Sequence, residues 1–383
     1  MLPDNTRLLL VLPELFRSEG GIQIIGCDLL RAVARIKPSG APYAVVVAND
    51  QPSAAASVYN GDFTFGWCGG PPAMARKGRV AIGMARSILA NRPSLILCGH
   101  VNYAPLCRWL GALFGIPYLV MTYGIDVWSL ASAGKRKALA RARKVTALSR
   151  YTADRLSEQV VFSPGQLVVQ PHPVREHFRP GPKPRHLEER YGLQGKRVLL
   201  TVARLAQSER YKGYDQVMDA LGTVARRAPD VRYLVVGDGD DLARAKRYAR
   251  KAGVADRVVF AGSVPNEELA DYYNLRDVFV MPSRNEGQGI VYLEALACGK
   301  PVIAGANGGS RDALLDGTLG LMVDPDRIDE LSEAVLRMLE GRVDPSLTDP
   351  GRLSGAVRDR FGFDRYCSDL ESILTSCIEE SAR

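Results

Sequence analysis

The sequence predicts an α/β protein of two doubly wound domains, each a parallel sheet with helices on both faces, facing one another across a cleft. Three observations carry the prediction. Short apolar runs alternate with helical or loop segments from residue 7 to residue 169; the stretch P-H-P-V-R-E-H-F-R-P-G-P-K-P, residues 171–184, then breaks the rhythm with five prolines; and the alternation restarts at residue 198. Such alternation implies parallel strands joined by covering helices, and a proline-rich break reads as a linker. The boundaries expected from it are 1–175 and 176–360, with a final amphipathic segment, 361–380, free to pack back on the first domain. A chain of 383 residues, 46% hydrophobic and 24% charged, has the length and composition for two buried cores.

In chain order, residues 7–15 (R-L-L-L-V-L-P-E-L) form an apolar run of strand length. Gly20 and Gly21 follow, and then a helix whose apolar positions are Ile22, Ile25, Leu29 and Val33. Further strands are expected at 43–48, 94–98, 118–122, 145–148 and 167–169. The second half offers strands at 198–203, 231–236, 258–260, 278–281 and 302–304, with helices near 216–224, 242–252, 267–273, 290–297 and 328–339. The segment around D-P-G-R, residues 349–352, reads as a loop, and residues 365–378 as the closing amphipathic helix. Open α/β sheets bind ligands beyond the carboxyl ends of their strands, so the functional groups are sought there.

Composition removes several function classes. No apolar run reaches the roughly 18 residues of a membrane span, because residues 95–121 are interrupted by His100, Asn102 and Arg108. The amino-terminal M-L-P-D-N-T-R lacks a basic region followed by an apolar stretch, and seven cysteines without a C-x-x-C pair suit neither a disulfide framework nor a zinc site, so the cytoplasm is the expected compartment. Charge is uneven: residues 1–190 hold 24 Lys and Arg against 12 Asp and Glu, the remainder 26 against 30. The densest basic run, K-R-K-A-L-A-R-A-R-K at 135–144, is either a solvated helix face or a dock for anionic lipid at the inner membrane face. Nucleic acid is not expected, since no aromatic residues interleave these charges.

Several motifs are weak. V-V-G-D-G-D-D-L, residues 235–242, begins like a dinucleotide fingerprint but has Leu242 where the third glycine belongs, and Asp238 with Asp240 suits a tight turn better than a chelated metal. Gly20-Gly21 lacks the G-K-[ST] of a P-loop. His172, His177 and His186 lie in or beside the linker and read as exposed loop residues. His100, in C-G-H-V-N-Y, ends a strand at the expected ligand face, and Asp126, in T-Y-G-I-D-V-W, follows the next strand as either a cap or a site acid.

The strongest signal is R-N-E-G-Q-G-I-V-Y-L-E, residues 284–294. Gly287 and Gly289 stand where a loop enters a helix, a place where backbone N–H groups and the helix dipole favour a diphosphate. Glu294 lies about one turn into that helix, within reach of a ribose, and Glu286 lies in the loop on the other side of the anion. Carboxylates accept paired hydrogen bonds from adjacent hydroxyls, so the two acids suit two different sugars. Arg204, ending the strand at 198–203, and Lys212, closing the loop after it, supply the cations that a departing diphosphate requires.

Taken together, these residues resemble the retaining glycosyltransferases of family four, which have the GT-B fold, and the likeness runs along nearly the whole chain. Its carriers are the E-x7-E motif Glu286–Glu294 within P-S-R-N-E-G-Q-G-I-V-Y-L-E-A-L-A-C-G-K-P-V-I-A, the pair Arg204 and Lys212, and G-G-I at 20–22. The resemblance implies an acceptor-binding first domain and a second domain that binds a nucleotide-diphosphate sugar, GDP-mannose or a UDP-hexose. Glu294 would hold the ribose, Glu286 the donor-sugar hydroxyls near the anomeric centre, Gly289, Ile290 and Val291 the sugar or diphosphate through their backbone, and Val264 would lie beside the base. Gly20 and Gly21 would form a phosphate loop. The resemblance also implies a glycan or polyprenyl-linked acceptor in polysaccharide or cell-envelope synthesis, and no metal or cofactor. Many family members have His where Tyr123 stands, which leaves His100 and Asp126 as the candidates for orienting sugar or acceptor. A sugar-nucleotide isomerase on the same fold and a non-catalytic sugar-nucleotide-binding partner are the alternative readings.

Overall fold

The computed structural model describes residues 2–17, 20–38, 40, 42–70, 72 and 75–379. Position 380, the last of the expected 361–380 segment, lies outside the described residues. The chain packs as two units, Met1–Pro173 with Asp364–Arg383, and Val174–Phe363.

The first unit is built on seven parallel strands: β1 (Leu8–Leu12), β2 (Tyr43–Val47), β3 (Phe63–Trp67), β4 (Leu95–Cys98), β5 (Tyr118–Thr122), β6 (Lys144–Ala147) and β7 (Leu167–Val169). They lie in the order β3-β2-β1-β4-β5-β6-β7, with Leu10 opposite both Val45 and Leu97. Every residue of β1 is buried, as a central strand covered on both faces requires. The helices α1 (Gly21–Ile36), α2 (Arg76–Asn91), α3 (Ala104–Phe114), α4 (Ala133–Ala140) and α5 (Arg150–Ser157) connect the strands.

Six parallel strands form the second sheet: β8 (Arg197–Val202), β9 (Val231–Val236), β10 (Val258–Gly262), β11 (Val278–Met281), β12 (Val302–Gly305) and β13 (Leu321–Val323), ordered β10-β9-β8-β11-β12-β13. Around it pack α6 (Arg185–Tyr191), α7 (Tyr214–Arg227), α8 (Leu242–Lys251), α9 (Leu269–Leu275), α10 (Ile290–Ala297), α11 (Ser310–Ala313), α12 (Ile328–Leu339) and α13 (Pro350–Phe361). The closing helix α14 (Phe363–Glu379) buries Tyr366, Cys367, Leu370, Ile373, Leu374 and Cys377 along one stripe, and Asp364 at its start pairs with Arg35 of α1.

The structure corrects two sequence expectations. D-P-G-R is not a loop: Asp349 caps α13 by accepting the Arg352 N–H at 2.6 Å, and Pro350 occupies the first turn, where its missing N–H costs nothing. His172 is not exposed. It is 1% accessible, with Nε2 at 3.3 Å from Asp28 Oδ2 and its ring 6.3 Å from that of Tyr366. Within the linker at 171–184, Val174 and Phe178 belong to the second unit's core.

Candidate active site

In each sheet the order reverses about the first strand, so the loops leaving that strand and its neighbour part to open a crevice. In the second unit those loops follow β8 and β11. They carry Arg204 and Lys212 on one side and Glu286 on the other. The third wall, unread in the sequence, is the loop after β12. A Cβ on Gly309 would sit 2.3 Å from the Gly287 carbonyl oxygen, and the Gly309 N–H donates to the Glu286 carbonyl at 2.8 Å. Only a residue without a side chain lets these two backbones lie that close. The signal was present as G-A-N-G-G-S directly after the strand at 302–304.

Lys212 Nζ donates to Glu286 Oε1 at 3.0 Å and lies 4.0 Å from Glu209 Oε2. Glu209 pairs in turn with Arg204, whose side chain is 71% exposed, while the side chains of Lys212, Glu209 and Glu286 are nearly buried. Burial by itself would lower the Lys212 pKa, but Glu286 and Tyr211 outweigh it, and the ammonium is held above the usual lysine value. Two cations and two carboxylates thus balance one another at the crevice. Glu209 and Tyr211 were missed because nothing in their local spacing marks them.

Gly289 caps α10 at φ +80°, and a Cβ there would fall 2.2 Å from the ring of Tyr292, whose hydroxyl is anchored on the Met281 carbonyl at 2.8 Å. Ile290 and Val291 begin the helix, and Glu294 follows one turn later, 8% accessible. Tyr273 of α9 donates its hydroxyl to Glu294 Oε2 at 2.7 Å, which fixes the carboxylate's direction. Burial, and then Glu294 itself, drive the Tyr273 pKa well up, so the phenol keeps the proton it donates. Val264 follows β10 and packs half-buried against the second unit's core. Asp240 Oδ1 accepts the Gln207 N–H at 2.8 Å and Asp238 Oδ1 the Gly239 N–H at 2.7 Å, so the D-x-D carboxylates serve turns.

In the first unit, Gly20 caps α1, which opens at Gly21 after β1. His100 follows β4, the strand on the other side of the order reversal. Its Nδ1 accepts the Asn102 N–H at 3.1 Å, which leaves Nε2 to carry the proton of the neutral ring. Burial lowers the His100 pKa against the opposing pull of Asp126. Asp126 Oδ1 accepts the N–H groups of Tyr123 at 3.1 Å and Gly124 at 2.7 Å, so it does cap a turn. Its Oδ2 is buried without a hydrogen-bond partner among the described residues, and burial raises its pKa while His100 pulls it down. Tyr123 lies 6.1 Å from the His100 ring, centre to centre, and its hydroxyl donates to the Gly99 carbonyl at 2.6 Å. The structure therefore joins Arg204, Lys212 and Glu286 through Glu209, sets Gly287 and Gly289 in the loop that leads from Glu286 into α10, where Ile290, Val291 and Glu294 follow, and on the first unit sets His100 near Asp126.

Residues 186–351 match the family described as Glycosyl transferases group 1. A GDP-mannose-dependent alpha-(1-6)-phosphatidylinositol monomannoside mannosyltransferase of Mycolicibacterium smegmatis is 39% identical over 246 residues, 60% of this chain and 62% of that protein. A 2-deoxystreptamine glucosyltransferase of Streptomyces kanamyceticus is 34% identical over 216 residues, 55% of each. The chain thus spans about three fifths of the first relative's length and just over half of the second's. Among solved structures, Anabaena HepE in complex with UDP has a TM-score of 0.80 at 17% identity, covering 97% of this chain and 100% of that one. Sucrose-phosphate synthase from Thermosynechococcus elongatus has a TM-score of 0.75 at 21% identity, covering 96% and 98%. The fold is that of the GT-B glycosyltransferases.

Proposed function

We propose that this chain, whose second unit matches the group 1 glycosyl transferases, is a retaining glycosyltransferase that moves a hexose from a nucleotide-diphosphate sugar to a glycan or lipid-linked acceptor. The observation that carries the reading is the Lys212–Glu286 pair, with Arg204, at the strand-order reversal of the second sheet. A donor diphosphate offers Lys212 and Arg204 a better anion than the carboxylates they now hold. Glu286, released, turns its oxygens to the donor-sugar hydroxyls, and Glu294, steered by Tyr273, takes the ribose. As the bond from the anomeric carbon to the phosphate oxygen breaks, the two cations stabilise the charge developing on the diphosphate. The acceptor hydroxyl attacks from the face the phosphate leaves and passes its proton to the departing phosphate oxygen, which preserves the anomeric configuration. With two cations beside the diphosphate, the reaction is read as needing no metal. On the second unit Val264 is read as lying beside the base, and on the first unit His100, through its Nε2 proton, with Asp126 is read as orienting the acceptor.

GDP-mannose is the donor to test first, because the mycobacterial relatives are described as GDP-mannose-dependent; UDP-glucose is second. The expected site of action is the inner face of the cell membrane. On the first unit the exposed Arg108, Trp109 and Leu113 of α3 lie on a helix that packs against α4, which bears the exposed Lys137. Exposed apolar and basic groups side by side suit an anionic lipid surface. No helix among the described residues is long and apolar enough to cross a membrane.

The test is transfer itself: the full chain with GDP-mannose or UDP-glucose and a bacterial lipid extract, with products identified by mass spectrometry. The reading expects acceptor-dependent release of nucleoside diphosphate, insensitive to chelators, and a glycosylated lipid that retains the donor's anomeric configuration. Conversion of donor without acceptor would favour the isomerase, and donor binding without turnover the non-catalytic partner.

A further inference from the structure

The amino-terminal edge of the second sheet, away from the loops that carry Glu286, holds a cavity of about 500 Å3. Arg276, Asp277, Cys298 and Lys300 are among the residues lining it. Arg276 is 0% accessible. Its Nη1 donates to the Tyr273 carbonyl, and its guanidinium lies 4.8 Å from the ring centre of Tyr273 and 5.4 Å from that of Phe279. The rings offset part of the charge. Nε and Nη2 have no hydrogen-bond partner among the described residues.

The acid at the cavity is already committed. Asp277 Oδ1 takes Lys183 Nζ at 2.8 Å and Oδ2 takes the Val198 N–H at 2.7 Å. Lys300, half-buried, forms no ion pair among the described residues. Burial lowers its pKa and Arg276 lowers it further; burial likewise brings Arg276 down to about 10. The carboxyl end of α10 and the amino end of α13 both meet the cavity, at Cys298 and Pro350, so their dipoles oppose and the side-chain charges decide. Asp277 and Glu294 act on Arg276 through space only, so a buried guanidinium with two unmet donors, beside a second cation, has no anion hydrogen-bonded to it among the described residues.

We propose that this cavity binds a phosphate group, free or as a monoester, held by Arg276 and Lys300, at a site separate from the proposed donor site. The test is a thermal-shift titration of the full chain with inorganic phosphate and with glycerol 3-phosphate at constant ionic strength, using Lys300→Gln, Arg276→Met and, to silence the donor site, Lys212→Gln. A saturable rise in Tm with at least one probe is expected in the wild type and in Lys212→Gln. Lys300→Gln should raise the half-saturating concentration by about tenfold or more, the loss expected for one charge-assisted hydrogen bond. A response to phosphate alone identifies the free anion, and a response to the ester alone identifies the monoester. If Arg276→Met does not fold, Lys300→Gln decides by itself. No saturable response, a response unchanged in Lys300→Gln, or one lost in Lys212→Gln overturns the proposal. No sugar nucleotide is used, so a failure here is distinguishable from failure of the transferase reading.

Discussion

Glu286 and Lys212 hold one another at 3.0 Å, and this contact separates binding from chemistry at the level of single residues. Glu286→Gln keeps the shape and removes the charge, so nucleoside diphosphate affinity should hold or rise. Turnover should fall about a hundredfold or more, since the lost interaction belongs to the reacting sugar; steady-state kinetics beside equilibrium binding checks the split. Tyr273→Phe removes the donor to Glu294 and should weaken nucleotide binding by about 1 kcal/mol, roughly fivefold, in a calorimetric titration. His100 gives a pH prediction. Its folded pKa lies below the ordinary 6.5, so the unfolded chain binds the proton first as pH falls, and the stability present above pH 6.5 declines below it. The Tm advantage of the wild type over His100→Gln should therefore shrink between pH 7 and pH 5. Glu286, Glu294, Arg204 and Lys212 were legible because their spacing puts them on defined loops and one helix. Glu209, Tyr211, Tyr273 and Arg276 were not, because each acquires its role from a partner that the fold supplies, as does the buried His172.

Among the elements, the fully buried central strands were readable, as were the edge strands β7 and β10, but the other two edges, β3 and β13, were not. The strand β3, F-T-F-G-W, carries a glycine and is only partly buried, and β13 has three residues, so neither shows the continuous apolar run of a central strand. The helix α13 was misread because Asp, Pro and Gly make turns as readily as they start helices; the Asp349 side-chain bond to Arg352 decides between them. Asp349→Ala should cost about 1 kcal/mol, read as a lowered denaturation midpoint with an unchanged denaturant slope. Gly289→Ala should cost more, since it forces a Cβ into the ring of Tyr292 at positive φ, and it should displace the start of α10. Its donor affinity should fall along with its stability, because α10 carries Glu294.

For the whole molecule, the alternating pattern and its proline break anticipated two doubly wound sheets, and both sheets have the order expected of such a fold. What the sequence could not supply was the acceptor, whose recognition rests on loops without a general code. Part of the basic excess of residues 1–190 is carried by the exposed Arg108 on α3, which also bears the exposed Trp109, and by the exposed Lys137 and Arg141 on and just after α4, which packs against α3. On the proposed lipid docking, replacing Lys137 and Arg141 with Glu should weaken sedimentation with anionic vesicles by about 1 kcal/mol per basic charge removed, roughly thirtyfold for the two, and leave neutral vesicles unaffected. Calorimetric titration of GDP-mannose and UDP-glucose into the wild type and Glu294→Ala shows whether the second unit grips a nucleotide-diphosphate sugar through Glu294 and its neighbours. Saturable binding of at least one donor is expected, weakened about tenfold or more by the substitution. Binding of neither donor, or the same affinity in both proteins, would rule out Glu294 as a donor ligand.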